Sequence, residues 1–135
     1  MLKTGYLLPP LCFAFMMAAS APVVAAGASS NVCAVQRTLH HSAKASWYGP
    51  GFHGRKTANG ETFNMYALTA AHKTLKLGSR ILVENVENGL QIVLRINDRG
   101  PYHGDRALDV SKRAADALGF RDDGVARVRL SLCNG

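Results

Sequence analysis

From Lys44 onward the chain is cut by Gly, Asn and Pro into short alternating runs, and that rhythm admits few folds. Lys44 to Tyr48 is one predicted strand, closed by the Gly49-Pro50-Gly51 turn. Arg80 to Val86 and Leu90 to Ile96 are two more. Glu87-Asn88-Gly89 joins them, and Asn-Gly tolerates the positive φ of a tight hairpin. Arg106 to Val110 and Val125 to Leu132 complete the strands. One helix interrupts them, with Ser111 as N-cap, Lys112 to Leu118 helical and Gly119 as the stop. Its apolar residues Ala114, Ala115 and Leu118 share one face. A second helical turn is expected over Leu68 to His72. Many short strands with little helix suit a small, mainly β barrel, and about 90 residues suffice for one modest core.

The N-terminal part does not belong to that barrel. Met1 and Lys3 give a positive start, Leu7 to Ala19 is apolar, and Ala18 to Ala28 is rich in small residues. That order reads as a secretory leader over residues 1–26, with cleavage expected after Ala26 and with Ala21 and Ala28 as alternatives. Pro9, Pro10 and the short apolar run argue against a membrane span. Cys12, preceded by Pro9, Pro10 and Leu11, is a poor lipid-attachment site. The product is therefore expected in the periplasm or outside the cell, not membrane-anchored, and as a monomer. Residues 27–43 are polar and without periodicity and read as a linker containing Cys33, with the domain at 44–135.

Without the leader, Cys33 and Cys133 remain, one near each end. In an exported chain this pair is expected to form a disulfide. Closing a loop of roughly 100 residues is worth at most about 4–5 kcal/mol in the chain-entropy model. The net charge is +7, of which Lys3 supplies one, leaving +6 after cleavage. An exported basic domain suits a polyanionic surface such as cell wall or lipid headgroups. Nucleic acid is not an expected partner, since the compartment is wrong and no recognition motif occurs.

Several acids sit where strands end. Asp98 shares strand parity with Ile92, Leu94 and Ile96, so a regular strand points it toward the apolar side. A carboxyl there favours its protonated form, as a general acid requires, whereas the bland role is a turn cap before Gly100-Pro101. Asp109 shares parity with Ala107, again inward, and also precedes the Ser111 cap, where helix electrostatics suffice to explain it. Glu61 follows the turn-forming Asn59-Gly60, and His72 follows small apolar residues. Solvated surface and a satisfied structural histidine are their ordinary roles. The five histidines have no metal-ligand spacing. Trp47, Tyr48 and Tyr102 can stack on sugar rings or serve as core.

Three segments, "ASWYGPGFHGRKTANGETFNM", "LTAAHKTLKLGSRILVENVENG" and "VLRINDRGPYHGDRALDVSKRAADALG", resemble the rare lipoprotein A family of peptidoglycan lytic transglycosylases. They span about 75 residues, Ala45 to Gly119, in the family's order. The resemblance implies a six-stranded double-psi β-barrel, related to expansins and barwin-like proteins. It implies catalytic roles for Glu61 of "TANGE", His72 of "TAAH" and Asp98 of "NDRGP", with Asp109 of "LDVS" as the second aspartate of one cleft. Trp47, Tyr48, Asn59, Arg99 and Tyr102 are the expected substrate-binding residues. No metal or cofactor is implied. Asn64 stands where the family often has Asp, and Lys76 where it has Pro. Many members carry a lipid anchor and a C-terminal peptidoglycan-binding repeat, and neither is read in this sequence.

The implied reaction cuts the β-1,4 bond between N-acetylmuramic acid and N-acetylglucosamine in peptidoglycan strands. A carboxylic acid protonates the leaving oxygen and the muramic C6 hydroxyl attacks, leaving a 1,6-anhydro end. Asp98 is the first choice for that acid and Asp109 the second. An expansin-like module that holds glycan without cutting it is the alternative, and a barwin-like defence or inhibitor domain is a further one.

Overall fold

The computed structural model describes residues 32–135 and, ahead of them, only Gly5 and Pro10. Apart from those two residues, the expected leader, 1–26, lies outside the described residues. Six strands form: β1 (Val35–Trp47), β2 (Thr69–His72), β3 (Arg80–Asn85), β4 (Gln91–Asp98), β5 (Arg106–Val110) and β6 (Val125–Cys133). They close on themselves in the order β1-β5-β2-β4-β3-β6. The β1–β5 and β2–β4 pairs are parallel and the other four antiparallel. The strand pattern predicted a small β-barrel, and this is the double-psi β-barrel that the family resemblance implied. Among the described residues no helix is long and apolar enough to cross a membrane.

Alternation fills the interior. Ile81 and Val83, Leu94 and Ile96, Leu108 and Val110, and Val128 and Leu130 are all fully buried, two from each of four strands. Removing one such side chain to Ala costs about 2–5 kcal/mol. The helix α1 (Lys112–Ala117) closes one end with Ala114 and Ala115 buried, followed by Leu118 and Phe120. Ser111 caps it as expected, its Oγ accepting from the Ala114 N–H at 3.2 Å. Gly119 ends it at φ +72°, with the Gly119 and Phe120 N–H groups donating back to Asp116 and Ala115.

Two expectations are corrected. Residues 35–43, read as linker, are most of β1. They pair with β6 while β5 joins only from Lys44, so most of them stay exposed and no alternation marks them. The Cys33–Cys133 disulfide, Cα–Cα 5.2 Å, fastens the start of this ladder, as expected. The helical turn expected at Leu68 to His72 is instead strand β2. Its alanines have high helix propensity. All four of its residues are buried between β4 and β5, where small side chains fit a strand paired on both edges.

Candidate active site

The strand pairings set four residues in one row. Ser46 of β1 pairs with Asp109 of β5, Asp109 with Ala71 of β2, and Ala71 with Asp98 of β4. With strands about 4.8 Å apart, the two aspartates flank Ala71 at roughly 10 Å between Cα atoms. Ala71 is small enough to leave space between them. A groove of about 360 Å³ opens there, lined by Asp98, Asp109, Tyr48, Trp47, Phe52 and Arg99 among others.

Neither aspartate enters the apolar interior, contrary to the parity argument. The β2–β4 register jumps from Ala70↔Ile96 to Ala71↔Asp98, so Asn97 is an extra residue. That bulge buries Asn97 and turns Asp98, half-buried, toward the groove. In β5 the interior places belong to Leu108 and Val110, which leaves Asp109 facing outward. A second bulge, at Ala107, takes the register from Lys44↔Arg106 to Ala45↔Leu108 and brings Arg106 beside Asp109. Each aspartate thus follows a bulge in its strand.

Their surroundings differ. Asp98 Oδ1 accepts the backbone N–H groups of Ala58 at 3.0 Å and Arg99 at 2.8 Å, and the Tyr48 hydroxyl donates to Oδ2 at 3.4 Å. Asp109 Oδ1 accepts a short hydrogen bond from Ser46 Oγ and lies 3.4 Å from Arg106 Nη1, which also donates to Ser46 Oγ. Burial, with both carboxylates nearby, pushes the Tyr48 phenol well above its usual range. Tyr48 therefore stays a neutral O–H donor beside the two acids. Its ring packs on Phe63 at 4.6 Å and Phe52 at 5.8 Å.

Glu61 and His72 are not among the groove-lining residues. Glu61 holds Arg95 with both oxygens, at 2.5 and 2.8 Å, and accepts from Asn59 Nδ2 at 2.8 Å and Asn97 Nδ2 at 3.4 Å. The Arg95 guanidinium is the main reason its carboxyl drops from 4.5 to about 2, aided by Asn59 and Asn97. This contact docks the loop around Asn59, whose own N–H reaches the Asn97 carbonyl at 3.2 Å, and the same loop delivers the Ala58 N–H to Asp98. Asn59 is thus a brace for the loop. His72 is buried, and its Nδ1 accepts the Thr74 and Leu75 N–H groups at 3.1 Å each. Burial first, then His40, Arg99 and Lys73, lower its pKa, which favours a neutral ring with the proton on Nε2.

Of the expected binding residues, Trp47, Tyr48, Arg99 and Tyr102 do line the groove. Tyr102 is 72% exposed at its rim, and Trp47 donates from Nε1 to the Arg121 carbonyl at 3.1 Å. Ser46, Phe52, His103 and Arg106 were not foreseen. Arg106 and Asp109 stand three apart, a spacing that puts residues on opposite faces of a regular strand, so only the bulge at Ala107 unites them.

The sequence model of the lytic transglycolase family matches residues 40–130. A probable endolytic peptidoglycan transglycosylase RlpA of Synechocystis is 59% identical over 88 residues, covering 65% of this chain and 27% of that protein. The endolytic peptidoglycan transglycosylase RlpA of Neisseria meningitidis is 56% identical over 86 residues, covering 64% and 36%. That of Vibrio cholerae is 45% identical over 106 residues, covering 78% and 40%. The chain thus spans about a quarter to two-fifths of the length of these curated relatives. Among solved structures, a Streptomyces papain inhibitor superposes with TM-score 0.58 at 18% identity, over 76% of this chain and all of that one. That likeness is one of fold.

Proposed function

The chain belongs to the lytic transglycolase family, and from that premise we propose that it is an endolytic peptidoglycan transglycosylase. Its substrate is the glycan strand, and the bond cut joins C1 of N-acetylmuramic acid to O4 of N-acetylglucosamine. One observation carries the reading: Asp98 and Asp109 flank Ala71 in a groove walled by Trp47, Phe52 and Tyr102. Aromatic walls suit sugar rings, and a carboxyl is what glycosidic cleavage requires.

Asp98 delivers its proton to the glycosidic oxygen as the C1–O bond breaks. The muramic C6 hydroxyl closes on C1, and its proton returns to Asp98, so one carboxyl completes the cycle without water. Asp109, tied to Ser46 and Arg106, sets its charge against the oxocarbenium-like centre. Glu61 positions Asp98 through the loop that supplies the Ala58 N–H. His72 orders the turn after β2 as a neutral ring. The leader expected from the sequence and the cell-wall transglycosylases among the relatives support work outside the cytoplasm, in the periplasm or beyond.

Mass analysis of purified glycan strands after incubation tests the reading. Anhydromuramic ends are the expected product. Ends carrying added water would make the protein a hydrolase, and unchanged strands that are nonetheless retained would make it a binding module.

A further inference from the structure

The groove contains two guanidinium groups with different surroundings. Arg106 is spent on Asp109 and Ser46. Arg99 has no carboxylate partner among the described residues. Its Nη1 donates to the Leu75 carbonyl at 2.6 Å and to the His72 carbonyl at 3.3 Å, which pins the group to the turn after β2. No acceptor among the described residues reaches Nε or Nη2. A half-buried cation without a counter-ion is costly, and its fixed fork is preorganised for a planar anion.

Resting on the transglycosylase reading, we propose that Arg99 is the subsite for a carboxylate borne by the muramic residue being cut. Its free edge takes the two carboxylate oxygens side by side. The placement suits that chemistry. Arg99 follows Asp98 directly, and the muramic ring that offers C1 to the acid also carries the lactyl ether at C3. A groove that held only a neutral sugar would have no use for the charge. The carboxylate has two sources: the free lactyl group of a peptide-less strand, or the acids of a stem peptide.

Binding is measured in the Asp98→Asn background, so that strands stay intact, on three ligands. These are peptide-less strands, the same strands with carboxyls reduced to alcohols, and strands bearing stem peptides. The carboxyl-reduced strand should bind about 10- to 100-fold more weakly than its parent strand, the worth of a charge-assisted pair. Adding Arg99→Gln should bring that ratio close to one, and Arg99→Lys should leave it intermediate. The ratio reads selectivity, which a merely loosened turn does not move, and melting temperatures report folding. Peptide-bearing strands that bind like the reduced ones assign the lactyl carboxylate. Peptide-bearing strands that bind at least as tightly as peptide-less ones assign the stem peptide. A parent ratio near one overturns the proposal unless peptide-bearing strands bind more tightly than peptide-less ones and lose that advantage in Arg99→Gln; a ratio that Arg127→Gln, on the exposed face of β6, lowers as much as Arg99→Gln overturns it as well. Product analysis of the unmodified protein decides separately whether it cuts, so a failed transglycosylase reading is told apart from a failed subsite.

Discussion

Asp98 and Asp109 pair with the same residue, Ala71, from opposite sides. One strand, β2, therefore sets the spacing of both acids, and their hydrogen-bond partners differ.

Asp98→Asn keeps an oxygen for the Ala58 and Arg99 N–H groups and removes the transferable proton. Release of anhydromuramic ends should fall about 10²–10⁴-fold at near-native melting temperature. Asp109→Asn should lower the rate less. A parent-like rate in Asp98→Asn with abolished cleavage in Asp109→Asn would exchange the two roles.

Tyr48→Phe keeps the ring on Phe63 and Phe52 and deletes the hydroxyl that reaches Asp98. Cleavage should slow about tenfold while glycan retention holds, because one long hydrogen bond is worth about 1 kcal/mol. An unchanged rate would remove the phenol from the machinery.

Glu61 tests positioning through pH. Its carboxyl lies at about 2 in the folded chain against 4.5 ordinarily, chiefly through Arg95. The stability it adds is present above about 4.5 and lost as pH falls toward 2. Glu61→Gln should flatten melting temperature against pH in that window relative to the parent. It should also cut activity at neutral pH, although the residue lies outside the groove.

His72 gives a slope of the same sign in a higher pH window. Its folded pKa lies below the ordinary 6.5, mainly because it is buried, so below that pH the unfolded chain takes the proton first. Stability should be full above about 6.5 and fall as pH drops below it. His72→Asn retains an acceptor for the Thr74 and Leu75 N–H groups and should lose this slope in pH-dependent melts. An identical slope in the variant would assign it to other groups.

Replacing Cys33 and Cys133 by Ser should lower stability by up to about 4–5 kcal/mol, the chain-entropy ceiling for so long a loop. Denaturant titration measures it. Mass analysis should also find the native chain two hydrogens lighter than its reduced form.

Much of the barrel was legible because one face of each central strand is dry. Arg106 to Val110 was read as the strand that forms, and the Ser111 and Gly119 signals bracket α1. Where both faces are wet or both are dry, alternation carries no information. That is why residues 35–43 read as linker and Leu68 to His72 as a helical turn. The acids were found by their position at strand ends, but their direction was not, since Asn97 and Ala107 each add a residue that parity counting assumes absent. Ser46 and Arg106 escaped notice for the same reason. The tie of Glu61 to Arg95 joins residues 34 apart and depends on how a loop docks on β4.

The first half of β1 has ladder bonds to β6 on one side and none to β5 until Lys44. Such a half-open margin is a template on which another chain can add a strand and start aggregation. Here the invitation is blunted. Its register with β6 shifts three times between Val35 and Ala43, which bends the margin out of line. Arg37, His40 and His41 add basic and polar side chains along the same stretch. The exposed seam at residues 35–43 is thus kept from recruiting the strands of neighbouring chains.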